Sequence, residues 1–179
     1  MVAVITGPPG AGKSSVCRRL ADRVGTSVHF EADAFWPFLR PERIPPWLPE
    51  SRAQNEVVTD AVAAAAGRFA VGGYVVFFDG IIGPWFVDRF VAGLDAADVP
   101  LHYVVLRPDR TTVLGRAADR IGHPLTDRSA VETMDDAFRA LGPYERYVID
   151  TTGEDEHQTA AHVADVLAAG SHRLLPTAR

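Results

Sequence analysis

Short apolar runs alternate with longer amphipathic segments along the whole chain. Five runs are apolar at nearly every position, which is typical of strands buried on both faces of a parallel sheet. These predicted strands cover residues 2–6, 27–30, 74–78, 101–106 and 146–149. Helices are predicted over residues 13–24, 51–70, 84–94, 110–121, 129–141 and 155–169. The alternation predicts an α/β domain of about five parallel strands with helices on both faces of the sheet.

Two segments interrupt this pattern. Residues 40–49 contain four prolines in ten positions, so they cannot form a regular helix or an inner strand. We expect them to belong to a stiff flap over a site, at about residues 34–50. The stretch from 121 to 128 is broken by glycine and proline between two helical segments, and it predicts a hinged lid at about residues 116–130.

Composition limits the class of protein. A chain of 179 residues with 47% hydrophobic and 23% charged residues suits one soluble domain. The net charge of −5 argues against general nucleic-acid binding. Cys17 is the only cysteine, which excludes an internal disulfide and fits a cytoplasmic protein. No apolar run is long enough for a membrane span, and we expect a monomer or a homodimer.

A phosphate-binding motif occupies residues 7–14, which read GPPGAGKS and match G-x-x-x-x-G-K-[ST]. It lies between the first predicted strand and the first predicted helix, where backbone N–H groups and a helix N-terminus can face phosphate oxygens. The alternative to a phosphate-binding loop is a surface turn rich in glycine and proline. We expect Lys13 to reach the β- and γ-phosphates of ATP and the Ser14 hydroxyl to bind Mg²⁺. The predicted nucleotide contacts here are Gly7, Pro9, Gly10, Ala11, Gly12, Lys13, Ser14 and Ser15.

Two carboxylates follow the second predicted strand. Glu31 and Asp33 are two residues apart, so in an extended chain both side chains face the same side. A phosphoryl acceptor needs a carboxylate to orient its hydroxyl and to take its proton. We assign this catalytic role to Asp33, and to Glu31 a substrate contact or an indirect contact to Mg²⁺. Asp33 could also cap a helix, and the two roles are compatible.

Asp79 ends the third apolar run and is followed by Gly80. An apolar strand that ends in aspartate has the form of a Walker B element, whose carboxylate holds Mg²⁺. Motor ATPases commonly place a glutamate after this aspartate, so Gly80 favours a kinase over a hydrolase. The alternative is a strand-terminal aspartate in a turn.

Cationic and polar residues follow the last two strands. Arg116 and Arg120 are four residues apart and share one helix face next to the predicted lid. Arginines on a lid can neutralise charge during phosphoryl transfer, so we expect a nucleotide contact from Arg116 and a catalytic one from Arg120. A solvated helix face is the alternative. Thr151 lies in a turn expected to contact the adenine, whereas Thr152 or Glu154 could cap the last helix.

The three tryptophans fall between the second strand and the helix after the third strand. They could be core residues, but their position beside proline-rich or glycine-rich turns favours an amphipathic wall for the acceptor. The predicted acceptor contacts are Glu31, Asp33, Phe35, Trp36, Trp47, Asp79 and Trp85.

Together these motifs resemble the small P-loop kinases, which include gluconate kinase, shikimate kinase and chloramphenicol phosphotransferase. The resemblance covers nearly the whole chain and rests on residues 7–14, 30–33, 78–80, Arg116 with Arg120, and 149–152. It implies a three-layer P-loop NTPase fold with strand order 2-3-1-4-5, and ATP with Mg²⁺. It also implies that Asp33 is the base and that Arg116 and Arg120 contact the nucleotide.

The leading hypothesis is an ATP-dependent kinase that phosphorylates a hydroxyl of a metabolite or an antibiotic-like molecule. A nucleoside or nucleotide kinase is the alternative among enzymes, and Arg40, Arg43 or Arg89 could then bind the acceptor phosphate. A nucleotide-dependent regulator that binds a partner protein is the alternative from another class.

Overall fold

The computed structural model describes residues 1–40, 42–95, 99–119 and 127–174. Five parallel strands form one sheet in the order β2-β3-β1-β4-β5, as the resemblance implies. The central strand β1 pairs with β3 on one side and with β4 on the other. The strands are β1 (Val2–Thr6), β2 (Ser27–Glu31), β3 (Val75–Asp79), β4 (Leu101–Leu106) and β5 (Val148–Ile149).

Six α-helices are present in the described part of the chain. They are α1 (Lys13–Ala21), α2 (Arg52–Val71), α3 (Pro84–Gly93), α4 (Arg110–Ala118), α5 (Arg128–Ala137) and α6 (Glu156–Ala169). The predicted α/β class, the parallel sheet and the helices between the strands are confirmed. None of the helices in the described part of the chain is both long and apolar enough to cross a membrane.

The structure differs from the sequence prediction at two places near the sheet. Arg146 and Tyr147 belong to a 3₁₀ helix (Gly142–Tyr147), so β5 is shorter than predicted. A second 3₁₀ helix (Ala32–Phe38) follows β2 directly and contains Asp33. The cap position of that helix is Glu31, and its side chain makes no capping hydrogen bond, so Asp33 is not its N-cap.

The predicted flap and lid are described in part. Within residues 42–48 no regular helix or strand is present, in agreement with the prolines. Helix α4 ends at Ala118 and α5 begins at Arg128, so the boundaries of the predicted lid are helical. Arg120 and the centre of the lid lie outside the described residues.

Each face of the sheet has its own apolar core. One core packs β1, β3 and β4 against α2 and α3 and includes Phe78 and Phe90. The other packs the opposite face against α1 and α6 and includes Cys17, which is fully buried. Burial raises the pKa of the Cys17 thiol well above its usual range, so the thiol stays protonated and serves as packing.

Candidate active site

The phosphate loop lies between β1 and α1, and its glycines are required by its geometry. Gly7, Gly10 and Gly12 all have positive φ values, of 144°, 87° and 93°. A Cβ on Gly7 would lie 2.2 Å from the carbonyl oxygen of Leu106, at the end of β4. The loop therefore packs too closely on its neighbours to accept a side chain at this position.

The Lys13 side chain lies across this loop. Its ammonium donates hydrogen bonds to the carbonyl oxygens of Gly7 and Pro8, both at 3.0 Å. The first turn of α1 contains no acidic residue, so its N–H groups and its partial positive charge are available to an anion. The glycine cradle, the helix N-terminus and the lysine fit the phosphate groups of a nucleoside triphosphate.

Asp79 ends β3 and is nearly buried, with 8% of its surface exposed. Burial by itself raises its pKa. The His29 side chain, the Lys13 ammonium and the Ser14 hydroxyl outweigh burial and lower the pKa overall. The carboxylate is thus ionised at neutral pH, beside a hydroxyl. A hydroxyl, a carboxylate, phosphate oxygens and water are ligands that suit Mg²⁺.

His29 was not anticipated from the sequence. Its Nε2 lies 3.4 Å from Asp79 Oδ2, and its Nδ1 lies 3.6 Å from Glu31 Oε1. The register explains the arrangement, because Glu31 pairs with Asp79 and His29 pairs with Phe77 in the parallel ladder of β2 and β3. A histidine two residues before Glu31 on the same face of β2 was the available signal. Among the described residues, no group of three or more His, Cys, Asp and Glu side chains could hold a metal by itself.

A cavity of about 270 Å³ opens beside the phosphate loop. Arg116 lies at its wall and donates a hydrogen bond to the carbonyl oxygen of Glu154, at 3.3 Å. This places Arg116 between the phosphate loop and the turn after β5, as a nucleotide contact requires. The lining residues are Ala11, Gly12, Ser15, Val16, Arg116, Glu154, Asp155, Glu156 and Thr159.

The turn after β5 differs from its prediction. Thr151 is 0% exposed and does not line the smaller cavity. Glu154 and Asp155 of the same turn line it instead. The cap of α6 is Asp155, which forms a reciprocal capping box with Gln158. Thr152 instead accepts a hydrogen bond from the backbone N–H of Asp109. Neither Thr152 nor Glu154 is therefore the N-cap of α6.

A larger cavity of about 380 Å³ lies between the flap, α2 and α3. Asp33 lines it, together with all three tryptophans of the sequence. Most of its other lining groups are apolar. The lining residues are Ala32, Asp33, Trp36, Pro37, Arg43, Pro46, Trp47, Asn55, Val58, Thr59, Val62, Ile81, Ile82, Trp85, Phe86 and Met134.

Three residues predicted as acceptor contacts do not line the large cavity. Phe35 does not line the large cavity; its ring packs on Phe30 and Phe38, with centroids 5.7 and 5.3 Å away. Glu31 points toward His29 and is 60% exposed at its side chain. Asp79 lies with His29 near Ser14, away from the lining of this cavity.

The large cavity and the phosphate loop are neighbours. Thr6, the residue before Gly7, accepts a hydrogen bond on its hydroxyl from the backbone N–H of Ile82, at 3.0 Å. Ile82 lines the cavity. One buried hydrogen bond therefore joins the start of the phosphate loop to the wall that Ile82 provides.

An ionic cluster around the buried side chain of Asp135 was also missed by sequence reasoning. Asp135 on α5 is 0% exposed and pairs with Arg110 of α4 at 2.9 Å and with Arg139 at 2.8 Å. The ion pair between Arg110 and Asp135 links α4 to α5, the helices that precede and follow the centre of the predicted lid in the sequence. The sequence offers only an aspartate at a helical position that faces inward.

A parallel sheet of order 2-3-1-4-5, a glycine-rich phosphate loop and a strand-terminal aspartate define a P-loop nucleotide-binding protein with the fold of the small P-loop kinases. Residues 4–139 match the model of the AAA domain family, and the chain belongs to that family. No curated protein sequence matches the chain.

Solved structures share this fold over nearly their whole length. A sugar kinase from Janibacter sp. HTCC2649 is 20% identical, with a TM-score of 0.69 and coverage of 93% of this chain and 94% of that one. The tunicamycin resistance protein of Deinococcus radiodurans is 23% identical, with a TM-score of 0.62 and 98% coverage of both chains. The shikimate kinase of Acinetobacter baumannii is 17% identical, with a TM-score of 0.67 and coverage of 94% and 93%. At these levels of sequence identity, the similarity to the three structures shows a shared fold alone.

Proposed function

We propose that the protein is an ATP-dependent kinase that transfers the γ-phosphate to a hydroxyl group of a small molecule. The observation that carries this proposal is the position of Asp33 in a cavity adjoining the phosphate loop. A carboxylate in such a cavity can orient an acceptor hydroxyl toward the phosphates. The similar structures of a sugar kinase and a shikimate kinase support the same class of reaction.

Each part of the site has a role in this proposal. The N–H groups of the phosphate loop and Lys13 hold the β- and γ-phosphates, and Ser14 with Asp79 holds Mg²⁺. Bound ATP and Mg²⁺ supply the phosphoryl group and neutralise the charge that develops on its oxygens. Asp33 would orient the acceptor hydroxyl and take its proton as the hydroxyl oxygen bonds to the γ-phosphorus, the bond from that phosphorus to the β,γ-bridging oxygen breaks, and ADP leaves. Arg116 binds the nucleotide from the wall of the smaller cavity.

A nucleoside or nucleotide kinase is the second candidate. Of the three arginines that could bind an acceptor phosphate, Arg43 lines the large cavity. Arg89 pairs with Asp60 and Glu56 instead, and Arg40 donates to the carbonyl oxygen of Pro37. One exposed arginine beside Asp33 is a weak site for a doubly charged phosphate, so this candidate has less support.

The test is an assay of ADP formation from ATP and Mg²⁺ with a panel of hydroxylated metabolites and antibiotics. With an accepted substrate, Asp33→Asn should keep ATP affinity and lose transfer by about 10²–10⁴-fold, the size of a general-base contribution. Lys13→Ala should impair ATP binding itself. Asp22→Asn, an exposed change outside the two cavities, is the control. Full transfer by Asp33→Asn would remove Asp33 from the mechanism.

A further inference from the structure

The large cavity is built around three tryptophans that come from separate parts of the chain. Trp36 lies on the 3₁₀ helix after β2, Trp47 on the flap and Trp85 on α3. Trp85 packs edge-on against Phe138, with ring centroids 5.8 Å apart. The sequence contains no other tryptophan. Three large aromatic side chains from separate elements therefore line one cavity.

The interior of the cavity is also apolar. The side chains of Val58, Val62 and Ile82 line it and are buried. Its charged lining residues, among those the structure describes, are Asp33 and Arg43, and both are exposed. A charged or densely hydroxylated ligand would lose its water here without enough polar groups to replace it.

Thr59, which is buried, and Asn55 add polar groups to this interior. Asn55 Nδ2 donates to the carbonyl oxygen of Pro46 at 2.7 Å and to Ser51 Oγ at 2.9 Å. A carbonyl oxygen only accepts, so these bonds fix which end of the amide faces the flap. Asn55 Oδ1 is then left buried without a hydrogen-bond partner among the described residues. A hydroxyl or N–H group of a ligand can satisfy this oxygen once a small shift of the Asn55 amide or of the flap exposes it to the cavity.

We infer that the acceptor is an uncharged, largely apolar alcohol with a ring system, and that Asn55 accepts a hydrogen bond from it. This inference rests on the proposed function only in taking the large cavity as the acceptor site. The cavity volume of about 380 Å³ lies at the small end of ligand pockets, so one or two rings fit it. Sugar acids and nucleotides do not match this surface.

Binding can be measured apart from catalysis, because every tryptophan of the protein lines this cavity. The full chain is titrated with trans-decahydro-2-naphthol, gluconate and dCMP while tryptophan emission is recorded. Each probe is also tested for ADP formation with ATP and Mg²⁺. We expect the decahydronaphthol to change the emission and to bind at least about tenfold more tightly than gluconate or dCMP. Tighter binding of gluconate or dCMP would overturn the inference.

The two readouts separate the inference from the proposed function. Saturable binding of the decahydronaphthol with no phosphorylated product from any probe would support the inference and count against the kinase. Phosphorylation of gluconate or dCMP, with no binding of the decahydronaphthol, would support the kinase and overturn the inference.

Two adjacent valines provide a matched pair of variants. Val58 lines the cavity and is 7% exposed, whereas Val57 points away on the same helix and is 64% exposed. Val58→Ser should weaken binding of the decahydronaphthol about tenfold, and Val57→Ser should leave it unchanged. Ile81→Ser, at a half-buried lining position, replaces Val58→Ser if thermal unfolding shows that the latter does not fold. Equal affinities in wild type and both cavity variants would contradict an apolar acceptor.

The role of Asn55 needs its own control, because its amide also holds the flap. Asn55→Leu removes Oδ1 together with the bonds to Pro46 and Ser51, while Ser51→Ala loosens the same flap and keeps Oδ1. The probes are the decahydronaphthol and its methyl ether, which cannot donate a hydrogen bond. We expect the preference for the alcohol to shrink in Asn55→Leu and to persist in Ser51→Ala. An unchanged preference in Asn55→Leu would refute the bond assigned to Asn55.

Discussion

Gly10 of the phosphate loop lies directly against the backbone of Val113 in α4. A Cβ placed on Gly10 would lie 2.5 Å from the Val113 carbonyl oxygen. The side chain of Val113 is fully buried in a small cluster with Ala117 and Val131, and Trp47 of the flap packs on that cluster. Helix α4 therefore forms a wall shared by the phosphate loop and the acceptor flap.

Gly10→Ala should disrupt the phosphate loop. The new methyl group would collide with Val113, and the φ of 87° is unfavourable for alanine. We expect a loss of about 1–3 kcal/mol in the free energy of unfolding, with strongly weakened nucleotide binding. Denaturant unfolding and a nucleotide titration measure both effects. Gly25→Ala is the control, because nothing lies within 4 Å of its added Cβ.

Asp135→Ala should lower the free energy of unfolding more than Asp136→Ala does. The substitution removes the buried acceptor of hydrogen bonds from Arg110 and Arg139, whose side chains are partly exposed, and loss of such bonds to a charged group costs about 1.5–3 kcal/mol. Asp136→Ala, at a side chain 64% exposed, should have little effect. Urea unfolding of the two variants gives the comparison. Equal stabilities would show that the cluster does not hold α4 against α5.

Arg116→Ala should weaken nucleotide binding about tenfold and leave the thermal stability unchanged. The side chain is exposed and reaches the turn after β5 through Glu154, across the smaller cavity. Titration with a fluorescent ATP analogue measures the affinity. Arg128→Ala, at an exposed arginine of α5, should bind the analogue as wild type does. The same loss in both variants would indicate a general charge effect and no specific contact.

The stabilising effect of Asp79 should depend on pH. Its pKa in the folded protein is below the ordinary value of 3.8, so the folded state favours the ionised form. This contribution is fully present above pH 3.8 and is lost as the pH falls through the folded-state pKa. The gap in unfolding free energy between wild type and Asp79→Asn should therefore narrow on acidification. A gap that widens in acid would contradict the lowered pKa.

Removal of His29 should act through Asp79. In His29→Ala the carboxylate loses a partner 3.4 Å away, so its pKa should rise toward the value that burial favours. As the pH is lowered, the free energy of unfolding should therefore begin to fall at a higher pH in His29→Ala than in wild type. The matched control is His157→Ala, at an exposed position on α6. The same dependence of unfolding free energy on acidic pH in His29→Ala and wild type would exclude an interaction between His29 and Asp79.

The sequence predicts the local parts of this molecule well. The phosphate loop depends on consecutive residues, and the strand-terminal Asp79 depends on one apolar run, so both can be recognised without a fold. Pairings between distant elements cannot be recognised in this way. His29 meets Asp79 only through the register of β2 with β3, and Asn55 reaches the flap only through the path of residues 42–48.

Phe35 shows why the lining of the large cavity was only partly predicted. It stands next to Trp36 in the sequence, and an aromatic cluster predicts both as wall residues. In a 3₁₀ helix, however, adjacent side chains point about 120° apart. Trp36 therefore reaches the cavity while Phe35 packs on Phe30 and Phe38. A helix near Asp33 was only an alternative in the sequence analysis, and the 3₁₀ helix that forms there contains Pro37.

The buried, protonated thiol of Cys17 makes this chain convenient for site-directed labelling. A cysteine introduced on the surface would be the sole reactive one, with no native residue to remove first. Dyes attached to cysteines introduced by Leu48→Cys on the flap and Asp22→Cys beyond α1, both at exposed positions, would report the distance between these regions. A change in this distance on addition of a ligand would then reveal whether the flap moves.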